Sequence, residues 1–244
     1  MQEIICRYTK GAEVRWVSHL ETLRMLERAL RRAKIGVAYS QGYNPRPRLA
    51  MGPALPAGMT SEVEMVALFL AQRTFPEDLK NRLNEQLPEG FIIQTAWAIP
   101  AYGKKQTLGD IDTSEFIARV KGPAGAEELE RRAVGLLSCE ALPFTRYREK
   151  KTQQLDLRPL ILHISVGESA DNFAEVKMIL QTGSSGGVRP QEILEQLGIA
   201  GADWEVSCHR QGLYASAKKT TAKPKGPRLR ALHGDQARRR HNQH

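Results

Sequence analysis

The order of strand and helix patterns along this chain constrains its fold more than any other feature. Runs rich in β-branched and aromatic residues predict strands, whereas apolar residues spaced three or four positions apart predict helices. In the first 100 residues, these patterns predict strands at 3–10, 37–40, 62–70 and 91–99, and helices at about 18–34 and 76–87. The resulting order, β-α-β-β-α-β, is that of a ferredoxin-like unit.

A similar order recurs in the second half of the chain. Strands are predicted at 114–120, 145–152, 160–166, 175–182 and 203–210, and helices at 127–137 and 190–197. Because a ferredoxin-like unit has four strands, the fifth predicted strand indicates one extra hairpin. We therefore predict an α+β fold of two tandem ferredoxin-like (βαββαβ) domains followed by a disordered basic C-terminal tail. The predicted bounds are 1–102 for the first domain, 103–112 for a linker, 113–215 for the second domain and 216–244 for the tail.

Positive charge is concentrated in two parts of the chain. The formal net charge is +9 at pH 7, and residues 216–244 alone hold nine Lys or Arg against one Asp. Because this segment has very few apolar residues, we expect it to be disordered. Residues 1–60 contain eight Arg and two Lys, and the planar guanidinium of Arg binds phosphate or carboxylate with two parallel hydrogen bonds. A basic tail and a basic patch together predict a polyanionic partner, most often RNA.

Several classes of protein are disfavoured by the composition. The three cysteines, Cys6, Cys139 and Cys208, are scattered, which predicts a reducing cytoplasm and no cysteine-bound iron–sulfur cluster built by this chain alone. No apolar run approaches the roughly 18 residues of a membrane span, and the first residues do not resemble a secretory signal. His and Cys residues do not pair at metal-ligand spacing. We expect a cytoplasmic protein without membrane contact, metal or cofactor.

The most distinctive stretch covers residues 15–48. Ser18 followed by Glu21 forms a capping box that predicts the start of the first helix. Beyond the helix, Gly42, Pro45 and Pro47 stiffen a polar loop. The candidate binding residues of this stretch are Arg15, His19, Arg24, Arg28, Arg31, Arg32, Tyr39, Gln41, Tyr43, Asn44, Arg46 and Arg48.

Each part of this stretch also has an ordinary structural interpretation. Arginines at i, i+4 and i+7 of a helix share one face, which is often merely solvated. Trp16 before the cap is typical of a hydrophobic staple. Tyr43 lies in a polar loop, and it is therefore the better candidate for stacking on a single-stranded base.

The run V-S-H-L-E from Val17, the run Y-S-Q-G-Y-N-P-R-P-R-L-A from Tyr39 and the run A-L-P-A-G-M-T-S-E from Ala54 resemble the radical SAM-linked domain family of bacteria. The similarity extends over roughly residues 3–215 and includes a weaker signature from Lys150 to Pro159. It implies an accessory role beside a radical SAM enzyme on another polypeptide, with no established activity. It also implies a site role for Lys150, Asp156 and Arg158, although Asp156 and Arg158 alone would read as a turn-stabilising pair.

A glycine-rich loop at 183–189 precedes a helix that begins with Pro190. Such a loop is ordinarily a flexible connection between a strand and a helix. The alternative is a phosphate cradle, in which backbone N–H groups and Arg189 face an anion. The loop lacks the Lys-Ser/Thr ending of a P-loop.

These observations favour a non-catalytic accessory protein that works with a radical SAM enzyme and binds RNA, a ribonucleoprotein or a ribosome-related substrate. One alternative is a metal-independent endoribonuclease that uses His19, whose pKa the positive end of a helix would lower. The other alternative is a docking module whose Arg face binds an acidic patch of the partner enzyme and no nucleic acid.

Overall fold

A computed structural model of the protein describes residues 1–100, 107–148, 151–168, 173–183, 186–216 and 229–231. The first half contains β1 (Gln2–Lys10), α1 (His19–Arg32), β2 (Leu49–Met51), β3 (Thr60–Leu70), α2 (Pro76–Asn84) and β4 (Phe91–Ala98). The second half contains β5 (Thr113–Lys121), α3 (Ala126–Ser138), β6 (Pro143–Arg148), β7 (Lys151–Asp156), β8 (Ile161–Glu168), β9 (Ala174–Gln181), α4 (Pro190–Gln196), β10 (Glu205–Ser216) and β11 (Leu229–Ala231).

One nine-stranded, mostly antiparallel sheet runs through both halves. Its order is β4-β1-β3-β10-β5-β9-β8, with β2 beside β3 and β11 beside β10, while β6 and β7 form a separate hairpin. Within the first half the strands therefore neighbour one another as β4-β1-β3-β2, and within the second half as β10-β5-β9-β8. The predicted α+β class is confirmed, and the extra hairpin lies between α3 and β8.

The two halves meet where β3 and β10 pair in parallel. This pairing has two residue pairs, Thr60 with His209 and Ser61 with Arg210. Leu55 and Met59 come from the first half but are buried in the core of the second half. The junction is therefore held by side chains as well as by backbone hydrogen bonds.

Helices cover each half with its own apolar core. In the first half, Met25, Leu26 and Leu30 of α1 pack with Leu79 and Leu83 of α2 against β1, β3 and β4. In the second half, α3 and α4 pack against β5, β8 and β9. None of the described helices combines the length and the apolar character that crossing a lipid bilayer requires.

The connection between the halves is packed over the part that the structure describes. Residues 103–106 of the predicted linker lie outside the described residues, but Leu108 and Ile111 are buried against Ile5, Met65 and Leu213. Their apolar side chains explain why this part of the connection lies on the sheet. The division of the chain into two domains stays a prediction.

Three expectations from the sequence were wrong in detail. The single strand predicted at 145–152 is instead divided between β6 and β7, which pair with each other as a hairpin. The predicted strand at 37–40 is reduced to isolated bridges at Val37 and Tyr39, because the chain leaves the sheet edge there and rejoins it near Arg48. The predicted disordered tail contains β11, whose residues 229–231 pair with residues 214–216 of β10. Most of the tail lies outside the described residues.

Candidate functional site

The start of α1 is fixed by the predicted capping box. The Ser18 hydroxyl accepts a hydrogen bond from the Glu21 N–H at 3.2 Å, and the Glu21 carboxylate accepts one from the Ser18 N–H at 2.8 Å. Hydrogen bonding of the Glu21 carboxylate to the side chain and backbone of Ser18 lowers the pKa of Glu21. Because the cap sets where the helix begins, it also sets which residues of α1 face the solvent.

The outer face of α1 carries three exposed arginines, Arg24, Arg28 and Arg31. None of them makes a hydrogen bond or an ion pair with another residue that the structure describes. The buried face of the helix holds Met25 and Leu26 instead. The three guanidinium groups are therefore available to a partner, and we call them the α1 arginine face.

Two other predicted binding arginines support local structure. Arg32 donates from Nη2 to the carbonyl of Gln86 at 2.5 Å, which ties the end of α1 to the segment after α2. Arg15 donates from Nη1 to the carbonyl of Ala12 at 3.3 Å, and its guanidinium lies 5.6 Å from the ring centroid of Trp16. Trp16 itself is 69% exposed.

Arg48 lies on the opposite side of the sheet from α1. Leu68 and Leu70 of β3 pack into the core beneath α1, so Phe69 between them faces the other side. The guanidinium of Arg48 lies 5.0 Å from the centroid of the Phe69 ring. The structure therefore does not join Arg48 to the α1 arginine face.

The loop at 39–48 projects from the sheet edge as a narrow hairpin. Ser40 and Arg46 close it through a backbone hydrogen bond of 2.9 Å and a bond of 3.0 Å from the Arg46 N–H to the Ser40 hydroxyl. Tyr39 is half exposed and forms a bridge with Pro47. The side chains near the tip are all exposed: Gln41, Tyr43, Asn44 and Arg46. The loop thus presents an aromatic ring, two amides and a cation to solvent.

His19 is exposed in the first turn of α1 and makes no hydrogen bond with another described residue. Partial desolvation by the surrounding protein lowers the pKa of its imidazole, and Arg210 lowers this pKa further while Glu64 opposes the shift. His209 is engaged elsewhere, since its Nδ1 lies 2.8 Å from the Thr60 hydroxyl. The imidazole of His19 is therefore largely neutral at neutral pH.

A buried arginine that the sequence analysis did not single out holds the junction of the halves. Arg210, on β10, is 1% exposed and donates from Nη1 to Glu64 and to the carbonyl of Pro53, both at 2.9 Å. It also donates from Nη2 to the carbonyl of Ala54 at 2.8 Å and lies 5.2 Å from the Phe116 ring centroid. Arg210 of the second half thereby binds the backbone of the loop at Pro53 and Ala54, where the run A-L-P-A-G-M begins.

Beside this junction is a cleft of about 1100 Å³, which we call the junction cleft. One wall is the loop 51–57 of the first half, and the facing wall consists of residues 182–183, 186–192 and 195 of the second half. Phe116, Arg146, Arg189 and Arg210 also line it. Residues from both halves therefore share one groove.

The glycine-rich loop lines the junction cleft, and it leads into α4. A carboxylate of the chain itself, that of Glu192, lies at the start of this helix. Arg146 holds the Glu192 carboxylate through two hydrogen bonds of 2.6 Å, and it donates to the carbonyl of Gly187 at 3.0 Å. The same carboxylate accepts the Arg189 N–H at 2.9 Å. The Glu192 carboxylate thus lies at the start of α4, where the phosphate-cradle interpretation would place a bound anion.

In the weaker signature of the second half, Asp156 and Arg158 stabilise the local structure through hydrogen bonds to the backbone. The Asp156 carboxylate accepts hydrogen bonds from the N–H groups of Leu142 at 2.7 Å and Arg158 at 3.0 Å. The Arg158 guanidinium donates to the carbonyls of Leu137 and Ile161 at 3.0 and 3.2 Å. Both residues thus fix the base of the β6–β7 hairpin, and Lys150 lies outside the described residues.

Across the described ranges, no group of three or more His, Cys, Asp or Glu residues could hold a metal ion. Burial raises the pKa of the Cys6 and Cys208 thiols to about 12, so both remain protonated at neutral pH.

Comparisons with known proteins place the chain in a family. A chain in the crystal structure of a Cbf5-Nop10-Gar1 complex matches with a TM-score of 0.50 and 10% identity, over 86% of this chain and 48% of that one. A chain in the structure of an H/ACA RNP bound to a substrate RNA matches with a TM-score of 0.43 and 11% identity, over 85% and 46%. This chain thus spans about half the length of either, and no curated protein matches it. A family model matches residues 3–190, and the chain therefore belongs to the family described as uncharacterized protein conserved in bacteria (DUF2344).

Proposed function

We propose that this protein is a non-catalytic accessory protein that binds RNA through the α1 arginine face. The observation that carries the proposal is that Arg24, Arg28 and Arg31 are exposed on one helix face and make no hydrogen bond or ion pair with the described residues. Along the helix axis they span about 10 Å. Three cations over that length can contact consecutive phosphates of one strand and release the counterions bound there.

The hairpin at 39–48 adds a second kind of contact. Tyr43 is fully exposed, and Arg46 stands beside it at the hairpin tip. Stacking of a base on an exposed aromatic ring stabilises single-stranded RNA by about 1–3 kcal/mol per base. This surface suits an unpaired region of RNA better than a regular duplex.

The fold likeness to a chain of the Cbf5-Nop10-Gar1 complex is too distant to identify a ligand, and the proposal rests on the arginines. The same strand order in each half supports the inference that both halves are ferredoxin-like units. The resemblance of the sequence motifs to the radical SAM-linked domain family supports partnership with a radical SAM enzyme. The three free cysteines accord with a cytoplasmic location.

The test is fluorescence-anisotropy binding of labelled tRNA and ribosomal-RNA fragments to the full chain. Arg24, Arg28 and Arg31 are replaced together by Gln in one variant, and Arg73, Arg119 and Arg131 in a control variant. Both variants lose the same net charge. We expect the first to bind at least about tenfold more weakly, as loss of several charge-assisted hydrogen bonds predicts, and the control to stay close to wild type. Equal losses in both variants would mean that binding is unspecific attraction.

Two further observations separate the alternatives. The endoribonuclease alternative predicts RNA fragments in EDTA that disappear in His19→Ala, whereas the accessory role predicts intact RNA. The docking alternative predicts a stable complex with the radical SAM enzyme and no RNA affinity of the wild type at physiological salt.

A further inference from the structure

Trp16 is a large aromatic side chain that the first half of the protein leaves open to solvent. It lies in the turn before α1 and is 69% exposed. Its indole N–H makes no hydrogen bond with another residue that the structure describes. We infer that Trp16 stacks on an unpaired base of the RNA that the α1 arginine face binds. This role rests on the proposed function, and it adds a residue that selects unpaired over paired RNA.

The structural role that the sequence suggests for Trp16 is taken by its neighbour. A hydrophobic staple uses the position directly before the N-cap of a helix. Here the N-cap is Ser18, and Val17 before it is partly buried against the core of the first half. Trp16 is therefore not needed to close the start of α1.

The backbone on both sides of Trp16 is held in place. Lys10 is buried, and its Nζ donates to the carbonyl of Arg15 at 3.1 Å and to that of Val17 at 2.6 Å. The Gly58 N–H also donates to the carbonyl of Arg15, at 2.8 Å. Burying an ammonium group is costly unless it is hydrogen-bonded, and these two bonds of Lys10 flank Trp16. The turn that carries the indole is thus fixed before a ligand binds.

The benzene ring of the indole lies against Gly58. A Cβ atom at Gly58 would be 2.8 Å from Cζ3 of Trp16, so only a residue without a side chain leaves room for the ring. Gly58 also has a φ of +84°, which glycine adopts without strain. Because the ring is supported by the protein and is still mostly exposed, stacking on it costs little conformational entropy.

Positive charge beside Trp16 favours a nucleic acid as the occupant of this surface. The Arg15 guanidinium lies 5.6 Å from the ring centroid, and Arg24 of the α1 arginine face is about 9 Å along the helix axis from the N-cap. The acids at this end are engaged, since the Glu21 carboxylate closes the helix cap and that of Glu13 lies against the turn before β4. Single-strand binding sites combine an aromatic ring and cations in this way, for the base and for the phosphates.

The test is fluorescence-anisotropy binding of the full chain to three labelled probes of equal length. They are a single-stranded oligoribonucleotide, its duplex with the complementary strand, and an abasic oligomer with the same sugar–phosphate backbone. The proteins are wild type, Trp16→Leu, Trp16→Phe and the control Phe75→Leu, which removes another aromatic ring that is 84% exposed.

We expect Trp16→Leu to bind the single strand at least about fivefold more weakly, because the stacked base is lost. Trp16→Phe should retain most of the affinity, and Phe75→Leu should match wild type. Binding of the duplex and of the abasic oligomer should not change in Trp16→Leu. The single strand should also quench the tryptophan fluorescence of the wild type, and Trp16→Leu should remove that quenching although Trp97 and Trp204 remain.

The Arg24/Arg28/Arg31→Gln variant separates this role from the proposed function. Binding that depends on the three arginines while Trp16→Leu leaves it unchanged keeps the proposed function and overturns the stacking role. Binding that depends on Trp16 and not on the arginines has the opposite meaning. Equal losses for the single strand and the abasic oligomer in Trp16→Leu also overturn stacking. No binding of the single strand by the wild type overturns both, and Trp16 with the exposed Leu20 would then mark a protein contact.

Discussion

The joining of the two halves depends on Arg210, and replacing it by Met tests that dependence. Met keeps an unbranched, largely apolar side chain, but it removes every hydrogen bond from the guanidinium to Glu64, Pro53 and Ala54. The Glu64 carboxylate, which is 5% exposed, then loses its bonded cation. The substitution therefore leaves a buried charge at the point where the halves meet.

The expected cost follows from these contacts. Removing one partner of a buried ion pair typically lowers the free energy of unfolding by about 3–5 kcal/mol. Two lost hydrogen bonds to carbonyl groups add to the cost, whereas attraction between Glu64 and nearby Lys10 reduces it. We therefore expect Arg210→Met to lower the free energy of unfolding by about 4 kcal/mol.

The assay is urea denaturation at neutral pH, followed by circular dichroism, as a double-mutant cycle with Glu64→Met. Because Arg210→Met/Glu64→Met removes both charges, it should cost less than the sum of the single variants by at least about 2 kcal/mol. The matched control is Arg131→Met, which breaks the exposed pair with Glu128 and should cost less than about 1 kcal/mol. A loss below about 1 kcal/mol for Arg210→Met, or additive effects in the cycle, would refute the assigned role of the pair.

Three further changes have defined outcomes. Burial raises the pKa of Cys6 and Cys208 from 9.0 to about 12, so above pH 9 the unfolded chain releases protons that the folded chain keeps. The free energy of unfolding in urea should therefore fall by about 1.4 kcal/mol per cysteine between pH 8 and pH 10, and a Cys6→Ala/Cys208→Ala variant should lack that part of the fall. Ser18→Ala removes the helix cap and should lower the thermal midpoint by an amount equivalent to about 1 kcal/mol, whereas an unchanged midpoint would contradict the role of the cap. Arg146→Met leaves Glu192 buried and unpaired and should cost about 3–5 kcal/mol in the same denaturation assay, and a loss below about 1 kcal/mol would show the pair to be dispensable.

Local patterns predicted those parts of the structure that local interactions decide. The start of α1 depends on Ser18 and Glu21, three residues apart, and the sequence shows the pair directly. Most of the order of strands and helices was also readable, since most elements have their own apolar period, but the strands predicted at 37–40 and 145–152 were exceptions. Helical spacing also predicted that Arg24, Arg28 and Arg31 share one face, and that face is exposed. Their binding role stays a prediction.

Contacts between distant residues could not be predicted in the same way. Arg210 and Glu64 are 146 positions apart, and neither lies in a pattern that indicates its partner. The sequence analysis grouped Arg48 with the arginines of α1. In the structure Arg48 packs on Phe69, which faces the opposite side of the sheet from α1. The apolar and aromatic residues at 37–40 indicated a strand, yet the hairpin leaves the sheet after Ala38. In each case tertiary pairing, and not local preference, decides the outcome.

The salt dependence of RNA binding tests the central claim most directly. For single-stranded nucleic acid, the slope of log K against log of the salt concentration is about −0.7 for each phosphate neutralised. If Arg24, Arg28 and Arg31 each contact a phosphate, replacing all three by Gln should make the slope shallower by about 2. The Arg73/Arg119/Arg131→Gln control should keep the wild-type slope. A wild-type slope in the Arg24/Arg28/Arg31→Gln variant would show that the α1 arginine face does not bind RNA.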